Sequence, residues 1–134
     1  TKHTRGSDLL ALDGGMNHYL GASGNLGAVL KRNYPIEAVT GNAEREGTYD
    51  FCGPLCTNID SLGRRAETWA LEIGDVVAIG CAGAYGLTSS PTHFISHAPP
   101  REILLRGVHA TDAAVDITVD GPAINPPDWS RFAD

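Results

Sequence analysis

Sixteen glycines and eight prolines in 134 residues set the first limit on what this chain can become. Glycine reaches backbone conformations that other residues avoid, and proline lacks the N–H that a helix interior or a central strand requires. A chain punctuated so often is built of short strands and turns more than of long helices. About seven or eight short strands, with Gly/Pro turns at intervals of roughly 8–12 residues, suggest a closed or nearly closed antiparallel β-barrel. With 42% hydrophobic and 19% charged residues the chain reads as an ordinary soluble globular one. Its length suffices for one domain with a real core and not for two.

Charge and cysteine usage narrow the class. The formal net charge is −6, and the eight arginines and two lysines are scattered, so no basic stripe marks a nucleic-acid partner. The longest apolar runs, such as "VVAIGCAGA", fall far short of a membrane span, and the N-terminal "TKHTRGSD" has no apolar signal core. Three cysteines in a chain that needs no staples favour a reducing compartment, and the expectation is cytoplasmic.

Along the chain, "DLLALD" is a strand that ends at Gly14 and Gly15, and "AVLKRNYPIEAVT" resumes extended character around Pro35. "GNAEREG" is expected as an exposed hairpin loop and "TYDFCGPLC" as the strand after it. "SLGRRAETWALEIGD" is polar and leads by a turn into "VVAIGCAGAYG", whose apolar character fits a central strand buried on both faces. "PTHFISHAPP" and "REILLRG" read as two further short strands, and Ala114 to Val119 as one more before a Pro-rich tail.

The segment "YDFCGPLCTNIDSLGRR" holds two cysteines four residues apart around a Gly-Pro turn. Three chemistries fit: half a metal site, a redox pair, or a rigid loop that presents one thiol. Zinc needs a second close pair of ligands. His93 and His97 have suitable sequence spacing, but on a strand at ~3.3 Å per residue they stand about 13 Å apart. Cys81, inside an apolar segment, reads as core.

Four motifs in register carry a resemblance: "DGGMN", "GPLCTNID", "GDVVAIGCAGAYG" and "EILLRG". Together they resemble the C-terminal β-barrel domain of the fold-type-III pyridoxal-phosphate decarboxylases, which include the diaminopimelate and ornithine decarboxylases. The resemblance runs from about Lys2 to Gly107, so the sequence divides into a barrel domain at 1–107 and an extension at 108–134. It implies a Greek-key-like antiparallel barrel with one or two short helical turns. It also implies pyridoxal 5'-phosphate held mainly by an N-terminal (β/α)8 domain with a Schiff-base lysine, and a homodimer with shared active sites. Only Lys2 and Lys31 are present here, without the glycine cluster that a cofactor phosphate would use, so the chain is expected to be inactive by itself.

In the family pattern Cys56 donates a proton to the substrate α-carbon after carbon dioxide leaves. A thiol, with an ordinary pKa of about 8.5, is mostly protonated at neutral pH and still gives its proton up. Tyr85, between glycines in "GAYG", corresponds to a phenol that hydrogen-bonds the cofactor phosphate and borders the substrate. Asp13 matches a position facing the substrate's distal end, and Asp60 reads as a loop or interface tie. Thr57 departs from the pattern: the diaminopimelate and ornithine enzymes usually have an acid there to read a distal ammonium. Gly21 stands where the diaminopimelate enzymes carry an arginine for a distal carboxylate. Both losses argue against diaminopimelate, and the first against ornithine or lysine; "GPLCT" with "SSPTHFISH" and "PPREILL" more resembles decarboxylases of secondary metabolism and exopolysaccharide clusters, some of which act on amino acids attached to a carrier protein. The competing readings are a free-standing β-barrel binding module without catalysis and an alanine-racemase-like barrel, in which "GPLCT" has no explanation.

Overall fold

Two long strands organise the chain. β4 (Asn42–Cys52) and β5 (Ser61–Ala70) pair antiparallel, from Asn42 opposite Ala70 to Cys52 opposite Ser61. The coordinates are a computed structural model that describes residues 2–4, 7–25, 32–101, 104–105 and 117–118. The chain falls into two compact units, Thr1–His97 and Ala98–Asp134.

In the first unit, β1 (Lys2–Thr4) and β2 (Ser7–Ala11) extend the sheet in the order β1-β2-β4-β5. β2 runs parallel to β4, with Asp8 opposite Tyr49 and Ala11 opposite Cys52. A smaller antiparallel pair joins β3 (Ile36–Ala38) to β6 (Val77–Ile79). Short helical pieces follow: a 3₁₀ turn at Leu20–Ser23, the four-residue α1 (Tyr85–Thr88), and a second 3₁₀ turn at Phe94–Ser96. In the second unit, β7 (Leu104–Leu105) pairs antiparallel with β8 (Ile117–Thr118).

The two-residue period of a strand explains the core. Tyr49 and Phe51 point inward from β4 and are buried, with ring centroids 5.9 Å apart. Asp50, between them, points outward and accepts from the Ser7 hydroxyl and the Arg65 N–H, both at 2.7 Å. Leu62 and Ala66 of β5, with Ala22, complete the buried cluster. Leu10, Tyr19 and Ile36 pack against it. A Cβ on Gly63 would fall on Cδ1 of Ile36, so glycine here is what lets β3 lie close to β5. Farther along, the Ala38 N–H donates to the Thr68 hydroxyl at 3.0 Å. The Asn33 side chain completes a strand-like pairing with Arg64, donating to its carbonyl at 2.7 Å and accepting from its N–H at 2.9 Å.

The protein is mainly β with a few short helical turns, as expected. It differs from the expected antiparallel barrel in two respects. Among the described residues the strands form three separate sheets that do not close into a barrel, and β2 and β4 are parallel. The physical reason for the parallel pair is the connection from Leu12 to Gly41, which is long enough to return the chain for a same-direction strand.

Three local expectations also change. "GNAEREG" lies in β4 from Asn42 on, with a register shift between Asn42 and Glu46. "FIS" forms a 3₁₀ turn and not a strand, with Ile95 and Ser96 at φ 43° and 64°. Cys81 is exposed at φ 61°, not in the core, because β6 ends at Ile79. Among the described residues, no helix is long and apolar enough to cross a membrane.

Candidate functional site

The turn between β4 and β5 separates inward from outward residues within three positions. Leu55 is buried, Cys56 is exposed, and Thr57 is half-buried. The backbone is tightly cross-bonded: Thr57 N–H donates to the Leu55 carbonyl at 2.8 Å and Ser61 N–H to the Ile59 carbonyl at 2.9 Å. The Thr57 hydroxyl accepts from the Ile59 N–H at 3.5 Å, a bond within the turn that leaves its O–H free to donate. Cys52, in contrast, sits half-buried at the end of β4, its thiol 3.6 Å from the Leu10 carbonyl. Burial, then the nearby Asp60 charge, push the Cys52 thiol above its ordinary pKa. The two cysteines four residues apart therefore differ in exposure.

The buried Asp60 joins this turn to the "DGGMN" segment. Its Oδ1 accepts from the Met16 N–H at 2.7 Å and its Oδ2 from the Leu55 N–H at 2.9 Å. The space around it is filled: a Cβ on Gly15 would stand 2.5 Å from both carboxylate oxygens, and one on Gly53 would collide with the carboxylate and the Gly15 Cα. Asn17, also buried, accepts from the Gly15 N–H at 3.2 Å and shapes the same bend. The expectation that Asp60 ties the loop matches this geometry.

Asp13 begins the bend and is exposed. With His18, Tyr19 and Asp75 it lines a cleft of about 500 Å³, to which Val76 and Val77 also contribute. Cys56, Thr57 and Tyr85 do not line that cleft. The Tyr19 ring stacks on Tyr34 with centroids 5.5 Å apart and donates its hydroxyl to the Gly80 carbonyl at 3.2 Å. Burial, then Tyr34 and Cys81, raise the Tyr19 pKa, which keeps that phenol a donor.

Tyr85 opens α1 and projects outward, 72% exposed. The segment is held from behind. Ser90 donates to the Gly86 carbonyl at 2.5 Å and accepts from the Leu20 N–H at 2.8 Å. Ser89 bonds the Tyr85 carbonyl, and the Gly86 backbone is buried. Residues 14–20 thus form a hub: Asp60 fastens the Cys56 turn to one end of it and Ser90 fastens the Tyr85 segment to the other. These two ties, spanning 44 and 70 residues, have no signal in the sequence beyond the chemistry of the residue types.

His93 and His97 flank a 3₁₀ turn, so strand spacing does not apply to them. Among the described residues, no group of three His, Cys, Asp or Glu side chains lies close enough to hold a metal ion. For a phosphate-bearing cofactor the outward phenol is a fitting hydrogen-bond donor. Lys31 lies outside the described residues, and of Lys2 only the backbone is described.

Comparison with known proteins places the chain in a family. Residues 1–83 match the family described as pyridoxal-dependent decarboxylase, C-terminal sheet domain. The chain is 41% identical over 110 residues to the L-glutamyl-[BtrI acyl-carrier protein] decarboxylase of Niallia circulans, covering 78% of this chain and 25% of that protein. It is 32% identical over 92 residues to the diaminopimelate decarboxylase of Vibrio cholerae, covering 69% of this chain and 21% of the relative. Among solved structures, the diaminopimelate decarboxylase from M. jannaschii in complex with L-lysine superposes with a TM-score of 0.65 at 25% identity, over 76% of this chain and 22% of that one. The chain spans about a quarter of the length of the curated relatives it matches. Fold, motif order and sequence agree, and the chain belongs to the pyridoxal-dependent decarboxylases as a C-terminal sheet domain.

Proposed function

We propose that this domain completes the active site of an amino-acid decarboxylase, with Cys56 delivering the proton that replaces the departing carbon dioxide. One observation carries the reading: the Cys56 thiol stands exposed on a turn whose neighbours Leu55 and Asp60 are buried. Pyridoxal phosphate, when bound, accepts the electron pair left behind as the carboxylate leaves. The Cys56 S–H gives its proton to the α-carbon, the sulfur keeps the bonding pair as thiolate, and solvent returns a proton to it afterwards. The outward Tyr85 hydroxyl donates to a phosphate oxygen of the cofactor, a charge-assisted bond. Thr57 and Asp13 border the substrate.

The reading includes a (β/α)8 domain bearing the lysine, and a second copy of the protein whose active site receives the Cys56 turn. The working protein is then a cytoplasmic homodimer. Within it, residues 1–107 form the sheet domain and residues 108–134 an extension.

The substrate class follows from two uncharged positions. Thr57 offers no counter-charge to a distal ammonium. At Gly21 a Cβ would already stand 3.1 Å from the Tyr19 ring and 3.5 Å from the Tyr34 ring, so an arginine would press on the stacked pair. A distal carboxyl masked as a thioester needs neither charge. The Niallia circulans relative, named for a glutamyl group on an acyl-carrier protein, supports this substrate class. The test is decarboxylation by the full-length protein and its Cys56→Ala variant, with carrier-bound glutamate and with free diaminopimelate. We expect turnover of the carrier-bound substrate and a loss of about 100-fold or more in the variant. Retention of activity within about threefold by Cys56→Ala refutes the proton-donor role, and preferred turnover of free diaminopimelate refutes the substrate class.

A further inference from the structure

Asp60 is a carboxylate with 3% of its surface exposed, set between two turns. A buried carboxylate must have its oxygens satisfied, and here backbone N–H groups do so, one from each turn. The backbone of Asp60 adds two more bonds. Its carbonyl accepts from the Gly53 N–H at 3.1 Å, and its N–H donates to the Thr57 carbonyl at 3.3 Å. Its partners within the turn are therefore residues 53, 55 and 57, which straddle Cys56 on both sides. The carboxylate sits against Gly15 and Gly53, in space that a side chain on either residue would need.

We infer that Asp60 is a positioning residue: its carboxylate locks the Leu55–Thr57 turn to the Gly14–Asn17 bend and so fixes where the Cys56 sulfur stands. The inference rests on the reading of Cys56 as proton donor, and it adds the device that aims the proton. Transfer to carbon is sensitive to displacement of the donor by about 1 Å, so a turn free to rock would still carry the thiol but deliver poorly. Asparagine is the informative substitution. It keeps the shape and one acceptor oxygen, but it sets an NH2 donor against whichever of the two N–H groups loses its partner.

The experiment uses the full-length protein with every cysteine but Cys56 replaced, Cys52→Ala and Cys81→Ala among them, so that a nitroxide label reports on Cys56 alone. Amide exchange at Met16 and Leu55 is followed in parallel. In Asp60→Asn we expect a mobile nitroxide and exchange at least about tenfold faster at both amides, with unfolding still cooperative. In the unlabelled protein, kcat falls by about tenfold or more while KM stays within about twofold. A folded Asp60→Asn protein with unchanged nitroxide mobility and unchanged Leu55 protection overturns the inference, whatever its activity. If that variant does not fold, the protein with native Asp60 decides. A restricted nitroxide with matched protection at the two amides supports the lock; a freely mobile nitroxide, or Leu55 exchanging more than about tenfold faster than Met16, overturns it. Failure of the proton-donor reading has a different signature: Cys56→Ala stays active while the label and exchange results still follow Asp60.

Discussion

Replacing Gly53 with alanine tests whether the two turns are as closely fitted as the coordinates have them. The φ of Gly53 is not in the left-handed region, so alanine meets no backbone penalty there, only a lack of space. The new Cβ would lie on the Asp60 carboxylate and on the Gly15 Cα, and the second of these is backbone that cannot rotate away. Forcing an extra methyl into a filled site costs about 1–3 kcal/mol. Moving Asp60 far enough to admit it breaks at least one bond to a charged acceptor, worth about 1.5–3 kcal/mol. The expected loss is thus about 2.5–6 kcal/mol, at roughly 4–8 °C per kcal/mol for a unit of this size. Gly83→Ala is the matched control: nothing lies within 4 Å of its would-be Cβ, but its φ of 51° is left-handed. Alanine there costs about 1–2 kcal/mol through backbone conformation alone. Urea unfolding of both variants compares the two costs directly. Gly53→Ala within about 1 kcal/mol of the parent, or milder than Gly83→Ala, would refute the close packing around Asp60.

Two further outcomes follow from titratable groups. Asp50 is held below the ordinary carboxylate range, first by the Ser7 hydroxyl and then by the Arg65 N–H. The unfolded chain binds that proton more tightly, so the contribution of Asp50 to stability is complete above the unfolded value near 3.9 and disappears as pH falls through the lower folded value. Ser7→Ala should flatten this acid limb in a pH series of melting temperatures, and an unchanged limb would refute the assignment. Alkylation at pH 8 followed by peptide mass spectrometry should modify exposed Cys56 and Cys81 before Cys52, whose thiol is half-buried and raised in pKa. Modification of Cys52 first would contradict that order.

Much of the architecture was legible because turn chemistry is local. Gly14 and Gly15 end β2 as expected, and Gly53 and Pro54 mark the end of β4. β5 was harder to see. Its inward Leu62 and Ala66 are four apart, but Arg64 and Arg65 are both exposed and Arg65 has a φ of 47°, so the alternation slips in mid-strand. Ile95 misled for the opposite reason: a β-branched residue favours extended backbone, yet here it sits in a turn at positive φ. Cys81 followed the same logic, an apolar neighbour of apolar residues that the end of β6 leaves exposed. For the site, the thiol and phenol were visible as motifs. What joins them was not, because the Met16 and Leu20 N–H groups belong to the backbone, and backbone partners carry no residue code.

The side chain of Asn33 takes both hydrogen-bonding groups of the Arg64 peptide on β5, the outermost strand of its sheet. A bare border would be a template on which a foreign strand can dock and fibrillar growth can begin, and here residues 33–38 lie along it. By spending one amide at that position, the polypeptide supplies its own counterfeit neighbour and denies the opening to others.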